Sequence, residues 1–563
     1  MRATRSSSIR GLGCWAALLA AIGIQACDGG SSGATATSPS VPPPAEPTLA
    51  ALTAASKLAS QASFGLPYAE IETLAREGHE AWIEQQFREA IGDHKSSVAA
   101  LLQRRAAGEF DDFEQTSEFL FFFRRLAWWH TTITARDTLR QRIAFALSEI
   151  FVVSDKVDAL IVNPYALSDY YDMLLTHAFG NYRDLLRAVT LHPAMGIYLS
   201  HVNNRKSDAI NNTFPDENYA REVMQLFSIG LFELEPDGTR RLDSNQRPIA
   251  TYTNNEIREF AKVFTGLSYG GPGAHFGNTR PVFLAPMQMF DEYHEPGEKR
   301  LLRGLVVPAG QTGVQDLEAA IDNLFNHPNV GPFFGKQLIQ RLVMSNPSPA
   351  YVARVARAFD GDASGVRGDM QAVLRAILLA PEAQAAASTG KLREPVVRYA
   401  ALLRQFGASS ADGFIGTGGF VLEALTRQHP LSSPSVFNFF LPAHSPAGEI
   451  ADAGLVAPEF QITNSGTIVG ISNLIDRSIV AGLVGDAPEP FAPVSLALDD
   501  YVALAADVDA LIDRLDLMLT YGTLSSESRD IIRQIASRID DPNARARIAI
   551  YMFLISPDYA VRL

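Results

Sequence analysis

From about Thr53 onward, apolar residues return every three to four positions, the spacing of one face of an α-helix. "SDYYDMLLTHAFGN" offers Ser168 as a cap, a stripe of Tyr171, Leu174, Leu175, Ala178 and Phe179, and Gly180 as a stop. "TNNEIREFAKVFTGL" sets Thr253 and Glu256 at capping-box spacing ahead of Ile257, Phe260, Ala261 and Phe264, and Gly266 closes the run. "DTLRQRIAFALSEIF" from Asp137 repeats the pattern, as do "VQDLEAAIDNLFNHP" and "GPFFGKQLIQRLV", which a His327-Pro328 break separates. Further helices are predicted in "SPAYVARVARAF", "GDMQAVLRAILLAP", "REPVVRYAALLRQF", "SRDIIRQIASRI" and "NARARIAIYMFLISP". Alternating runs are scarce, with "TRPVFLAPMQMF" (279–290) and "KRLLRGLVVPAGQ" (299–311) the candidates for a hairpin or short sheet. No solenoid period recurs. The pattern predicts a mostly α fold: a large multi-helix domain over 51–485, a C-terminal helical lobe over 486–563 packed on it, and at most a small β-hairpin or short sheet.

The first fifty residues break this pattern. Arg2, Arg5 and Arg10 precede an apolar stretch from Gly11 to about Ile24, the form of a signal peptide with an h-region too short to be a good spanning helix. It ends in "IQAC", which resembles a bacterial lipobox, so 1–26 reads as a lipoprotein signal peptide and Cys27 as the lipidated residue. An ordinary secretory signal with an incidental cysteine is the alternative. Residues 27–50 are Gly/Ser/Thr-rich and then Pro-rich, as a flexible tether is. Cys14 and Cys27 are the only cysteines, so the mature domain has neither a disulfide nor thiol chemistry. The partner implied is a membrane, reached through a lipid anchor, in the bacterial cell envelope. A net charge of −14 argues against a general nucleic-acid binder, which needs a basic footprint.

Polar density marks two stretches. In "NNTFPDENYAREVMQLFSIGLF", a helix starting near Thr213–Asp216 puts Glu217 with Arg221 and Asn218 with Glu222, four apart on one face with Gln225. One reading is an acidic helix start favoured by the helix dipole, with a surface ion pair. The other is the wall of a site shared with the preceding "HVNNRK" loop, in which Asn203, Asn204, Arg205 and Asn218 hold a ligand and Glu222 and Arg221 act on it. The second stretch, "DEYHEPGEK", supplies His294 as a further acid/base candidate and Lys299 as an anion contact. Its carboxylates would suit a divalent metal with oxygen ligands, but it lacks EF-hand spacing, and no HExxH motif is present. The cofactor is therefore left unassigned, with a divalent metal as the candidate. Trp128, Trp129 and His130 read as core, and His192 and His327 as helix-end residues. "GTGG" (416–419) lacks the strand–glycine–helix setting of a nucleotide site, and no serine sits in a G-x-S-x-G elbow.

Several stretches resemble a family of exported bacterial proteins known as domain of unknown function number eighteen hundred. They include "LRQRIAFALSEIFVVS" (139–154), "FGNYRDLLRAVTLHPAMGIYL" (179–199), "DENYAREVMQLFSIGL" (216–231), "GKLREPVVRYAALLRQFGA" (390–408) and "SPSVFNFFLP" (433–442). The chain departs from that pattern at "HEPGE", where many members carry Asp after the His. The resemblance implies no settled activity; it points to an exported partner resembling sulfatases and phosphatases. Two functions follow. One is an enzyme acting on a polar or anionic envelope or carbohydrate substrate by acid/base or metal-assisted chemistry. The other is a non-catalytic binding or scaffold lipoprotein. A deep pocket gathering Asn204, Arg221, Glu222 and His294 would favour the enzyme, and scattering of those residues beside an apolar patch would favour the scaffold.

Overall fold

The computed structural model describes residues 46–110, 118–362, 364–385, 390–487 and 490–562. Cys27, the signal peptide and most of the proposed tether lie outside them. Pro47–Leu563 form one compact unit, which includes the C-terminal helices. Helices dominate the described residues, and no helix among them is long and apolar enough to cross a membrane. Among the described residues the strands form four antiparallel two-stranded ribbons, each strand two residues long. Lys299–Arg300 pairs with Val306–Val307, the hairpin expected there. Gln288–Met289 instead pairs back to Leu267–Ser268.

Local chemistry explains the helix limits. Thr253 and Glu256 form the capping box that opens Asn254–Val263. Ser348 caps Pro349–Asp360, where proline sits at a first-turn position that lacks an acceptor in any case, and left-handed Gly361 ends it. The helix expected from Ser168 starts earlier, at Pro164, because Asn163 supplies the cap. Gly313–Phe325 and Val330–Leu342 flank the predicted break at His327-Pro328. The main core cluster runs from Leu52 to Tyr559. Trp128 and Trp129 are fully buried within it, and Trp129 donates its indole N–H to His429 Nε2 at 3.3 Å.

Arginines, rather than solvent, satisfy many helix-end carbonyls in this core. Arg142 on Thr138–Ser148 donates to the Arg341 carbonyl at 2.7 Å, and Arg341 on Val330–Leu342 donates to the Glu149 carbonyl at 2.8 Å. Each helix thus closes the other's last turn, where backbone oxygens have no intrahelical partner. Arg404 does the same for Thr132, Ile133 and Ala135 at the end of Glu118–Thr134. Arg562 donates to Ser60 at 2.8 Å, to Val343 at 2.8 Å and to Leu342, while its strand pairs with Lys391–Leu392.

Candidate functional site

The residues singled out by polar density are placed as follows. Asn203, at φ +62°, accepts from Ser268 Oγ at 2.6 Å and Gly277 N at 3.0 Å and donates to the Asn278 carbonyl. Asn204 bonds both sides of the Asp216 backbone, at 2.9 and 3.3 Å. Asn218 rests on Asp216 and Ser200, and the Arg205 guanidinium lies over the Phe276 and Tyr293 rings. Arg221 makes an exposed ion pair with Glu217 at 3.4 Å. His294 faces the Thr265 carbonyl with Nδ1 and Asp316 Oδ2 with Nε2, both at 2.9 Å. Lys299 donates to the same Asp316 oxygen at 2.5 Å and to the Glu295 and Gly297 carbonyls. His294, Lys299 and Asp316 are all buried. The structure therefore joins Asn203 and Asn204 to loop backbone, sets Asn218 against the Ser200 hydroxyl, and gathers His294 and Lys299 around Asp316. It does not gather Asn204, Arg221, Glu222 and His294, none of which lines any of the three cavities described for the molecule. Among the described residues, no group of three or more His, Cys, Asp or Glu converges as metal ligands would.

Glu222 stands apart from these. It is buried, its Oε2 has no hydrogen-bond partner, and burial pushes its carboxyl up against the opposing pull of Arg221. One turn on, the α-helix Asn218–Glu222 passes into a π-helical segment, Val223–Ser228. That wider turn brings Gln225 and Leu226 to the wall of a cleft of about 500 Å³. Gln225 also accepts from the Tyr252 hydroxyl at 3.2 Å. Gly230 follows at φ +72°, and a Cβ there would come within 2.6 Å of the Phe333 ring, which forms the facing wall.

The cleft is lined mostly by apolar side chains, including Ile150, Leu226, Leu231, Phe333, Phe437 and Leu441. Leu231, Phe437 and Leu441 remain exposed. Its polar floor comes from two helices. Lys336, Gln337, Gln340 and Arg341 share a side of Val330–Leu342, as residues one, four and five apart do. Glu149 follows the last turn of Thr138–Ser148, two turns after Arg142. Glu149 is 3% exposed and Arg341 4%. Asn438 donates to Glu149 Oε1 at 3.2 Å, and Arg341 Nε lies 3.7 Å from Glu149 Oε2. Gln337 Nε2 and Arg341 Nε are buried on this lining with no hydrogen-bond partner.

Behind Glu149 lies the Glu394 carboxyl, and each acts on the other's affinity for a proton, while Glu149 Oε2 and Glu394 Oε1 are buried with no hydrogen-bond partner. Glu394 precedes the helix Pro395–Gln405 and accepts from Gln428 at 2.8 Å. Two buried carboxyls in contact cannot both ionise without a large penalty, so their affinities for protons separate. Burial, and then the Glu394 charge, push Glu149 well above the usual carboxylate range. Burial acts on Glu394 too, but the Lys391 charge, the neighbouring Glu149 carboxyl and the Arg142 charge outweigh it and hold Glu394 low. Lys391 also pairs with Glu459, and both are buried. The arrangement is a neutral acid facing the cleft, backed by an ionised carboxylate in a cage of cations. Such a pair can donate a proton to a bound group and take one back.

None of Glu149, Glu394, Arg142 or Arg341 stands out by polar density, because Glu149, Arg142 and Arg341 lie in mainly apolar helical runs and Glu394 in a short charged stretch before a helix. The signal that finds them is an Arg or Glu on the apolar stripe of a helix, in "LRQRIAFALSE", "KQLIQRL" and "KLREP". The family model described as "Protein of unknown function (DUF1800)" matches residues 57–561. No curated protein and no solved structure matches the chain.

Proposed function

This chain belongs to the DUF1800 family, whose description names no activity, and we propose that it is an exported, lipid-anchored enzyme of the bacterial envelope. Its substrate is a small molecule with an apolar body, and Glu149 is the proton donor of acid–base chemistry at the polar end. One observation carries this reading: the carboxyl that faces the cleft is the one held protonated, and the carboxyl held ionised stands behind it. The cleft has the size, about 500 Å³, and the mainly apolar lining of small-molecule sites. Chromogenic nitrophenyl conjugates of a carboxylic acid, a phosphate and a sugar, each bearing an alkyl chain, test it. Turnover of at least one is expected, with a rate that falls as pH rises through the Glu149 titration. Glu149→Gln should lower kcat by roughly 10²- to 10⁴-fold while changing KM little. Binding without turnover of any conjugate would remove the enzyme.

The second reading is a non-catalytic binding or scaffold lipoprotein working with an exported sulfatase- or phosphatase-like partner. The scattering of Asn204, Arg221, Glu222 and His294 favours it, as do exposed Phe437, Leu441, Ile468 and Val469. In both readings Cys27 holds the protein to a membrane. Mass spectrometry of the mature N-terminus should find a diacylated Cys27, and Cys27→Ser should release the domain or leave the precursor uncleaved.

A further inference from the structure

The charge of the cleft is opposite to that of the protein. Four charged-type residues line it: Glu149, Arg240, Lys336 and Arg341. Glu149 is held neutral, so the lining carries three cations in a chain whose net charge is −14. Among the described residues, neither Arg240 nor Lys336 has a carboxylate within ion-pair distance in the structure; Arg240 lies over the Phe232 ring instead, at 4.7 Å. The two also stand within each other's field, since burial and then the Arg240 charge lower the Lys336 ammonium. Like charges left facing each other at an apolar cleft are unfavourable in the empty protein and favourable once an anion lies between them. Deeper in, the unpartnered Arg341 Nε and Gln337 Nε2 are N–H donors, buried on the same wall. Gln337 Nε2 lacks an acceptor, and Arg341 Nε has only Glu149 Oε2 beside it, at 3.7 Å and too far for a hydrogen bond.

We propose that the cleft binds an amphipathic anion. Its carboxylate, sulfate or phosphate head is held by Arg240, Lys336 and Arg341, and its apolar body lies along Phe333, Phe437 and Leu226. This deepens the functional reading above, since it requires the same cleft to be a binding site, and it fixes the substrate class. Neutral sugars and alcohols satisfy the donors but leave Arg240 and Lys336 without a counter-charge, whereas an amphipathic anion satisfies both. It also sets the anion's head within reach of the acid that would protonate a departing oxygen.

Calorimetric titration of the full chain with dodecanoate, dodecyl phosphate and 1-dodecanol, all below their aggregation limits, tests the proposal. The two anions should bind at least tenfold tighter than the alcohol, and more weakly as salt is raised. Lys336→Gln and Arg240→Gln, both exposed positions, should each weaken the anions by roughly 10- to 100-fold and leave the alcohol unchanged. Phe437→Glu, which sets a negative charge at the exposed edge, should weaken the anions more than the alcohol. Equal affinity for alcohol and anions, or anion binding indifferent to Lys336→Gln and Arg240→Gln, overturns the anion assignment and leaves the cleft a binding site. If no amphiphile of either kind binds, the reading of the cleft itself fails.

Discussion

Replacing Glu149 by glutamine exchanges a protonated carboxyl for an amide of the same shape. The amide oxygen can still accept from Asn438, so that contact survives the change. What changes is proton linkage. In the unfolded chain Glu149 releases its proton near its ordinary value of 4.5, while in the fold it keeps the proton to a much higher pH. Across that window the folded state holds this proton and the unfolded one does not, so the contribution of Glu149 to stability falls as pH rises. The loss is about 1.4 kcal/mol for each pH unit over which the folded carboxyl stays protonated. Glutamine has nothing to release, so Glu149→Gln should gain on the wild type by about 1.4 kcal/mol per unit above pH 4.5 and become the more stable protein near neutrality. The same change at Glu394 has the opposite sign. Its folded carboxyl is held low, so it contributes stability above the ordinary value that is lost only as pH falls through the lowered one. Glu394→Gln leaves Lys391 and Arg142 short of a counter-charge in the core and should cost about 3–5 kcal/mol at pH 7. Urea unfolding at pH 5, 6 and 7, followed by circular dichroism, measures both. A difference between wild type and Glu149→Gln that stays flat from pH 5 to 7 would refute the protonated acid, and the proposed proton donor with it.

Three further outcomes are expected. His94, His130, His201 and His327 are each lowered to about 4, mainly by burial, so the unfolded chain takes up protons below about 6.5 where the fold does not. Stability should therefore fall between pH 6.5 and 4 by about 1.4 kcal/mol per unit for each, and His94→Gln should make that slope shallower in urea titrations. Glu222→Gln removes a carboxylate that is buried with one oxygen unpartnered, so its melting temperature at pH 7 should equal or exceed that of wild type; a large drop would show a paired structural charge instead. Gly230→Ala must place a Cβ at φ +72° against Phe333, so it should destabilise by about 1–3 kcal/mol and weaken binding of amphiphiles, both read by calorimetry.

The helical architecture was legible because it is local. Caps such as Thr253 and Ser348 and stops such as Gly361 lie within a turn of the residues they serve. The two-residue strands were mostly not legible, since Lys391–Leu392 exists only through its pairing with Val561–Arg562, far along the chain. The π-helical segment left no pattern either, because Val223–Ser228 keeps an apolar face that suits an ordinary helix. Polar density drew attention to loops, where asparagines tie one stretch of loop backbone to another, as Asn203 does at Gly277 and Asn278 and Asn204 at Asp216. The acid pair is built from the reverse, isolated charges such as Arg142 and Glu149 within apolar runs, from segments joined only by the fold. Gln225 links the two: polar density placed it on the Glu222 face, and the π turn carries it to the cleft.

Arg562 has a consequence for how the protein comes into being. Its guanidinium reaches Ser60, at the end of the first helix, and the Val343 carbonyl midway along the chain. A ribosome delivers Ser60 first and Arg562 only after every other residue it holds. Until then those carbonyls lack their donor and the strand Lys391–Leu392 lacks its partner, so the core waits on a segment made long after them for these contacts. In the exported reading proposed above, such a delay would be an advantage: the chain stays loose for as long as it is still arriving.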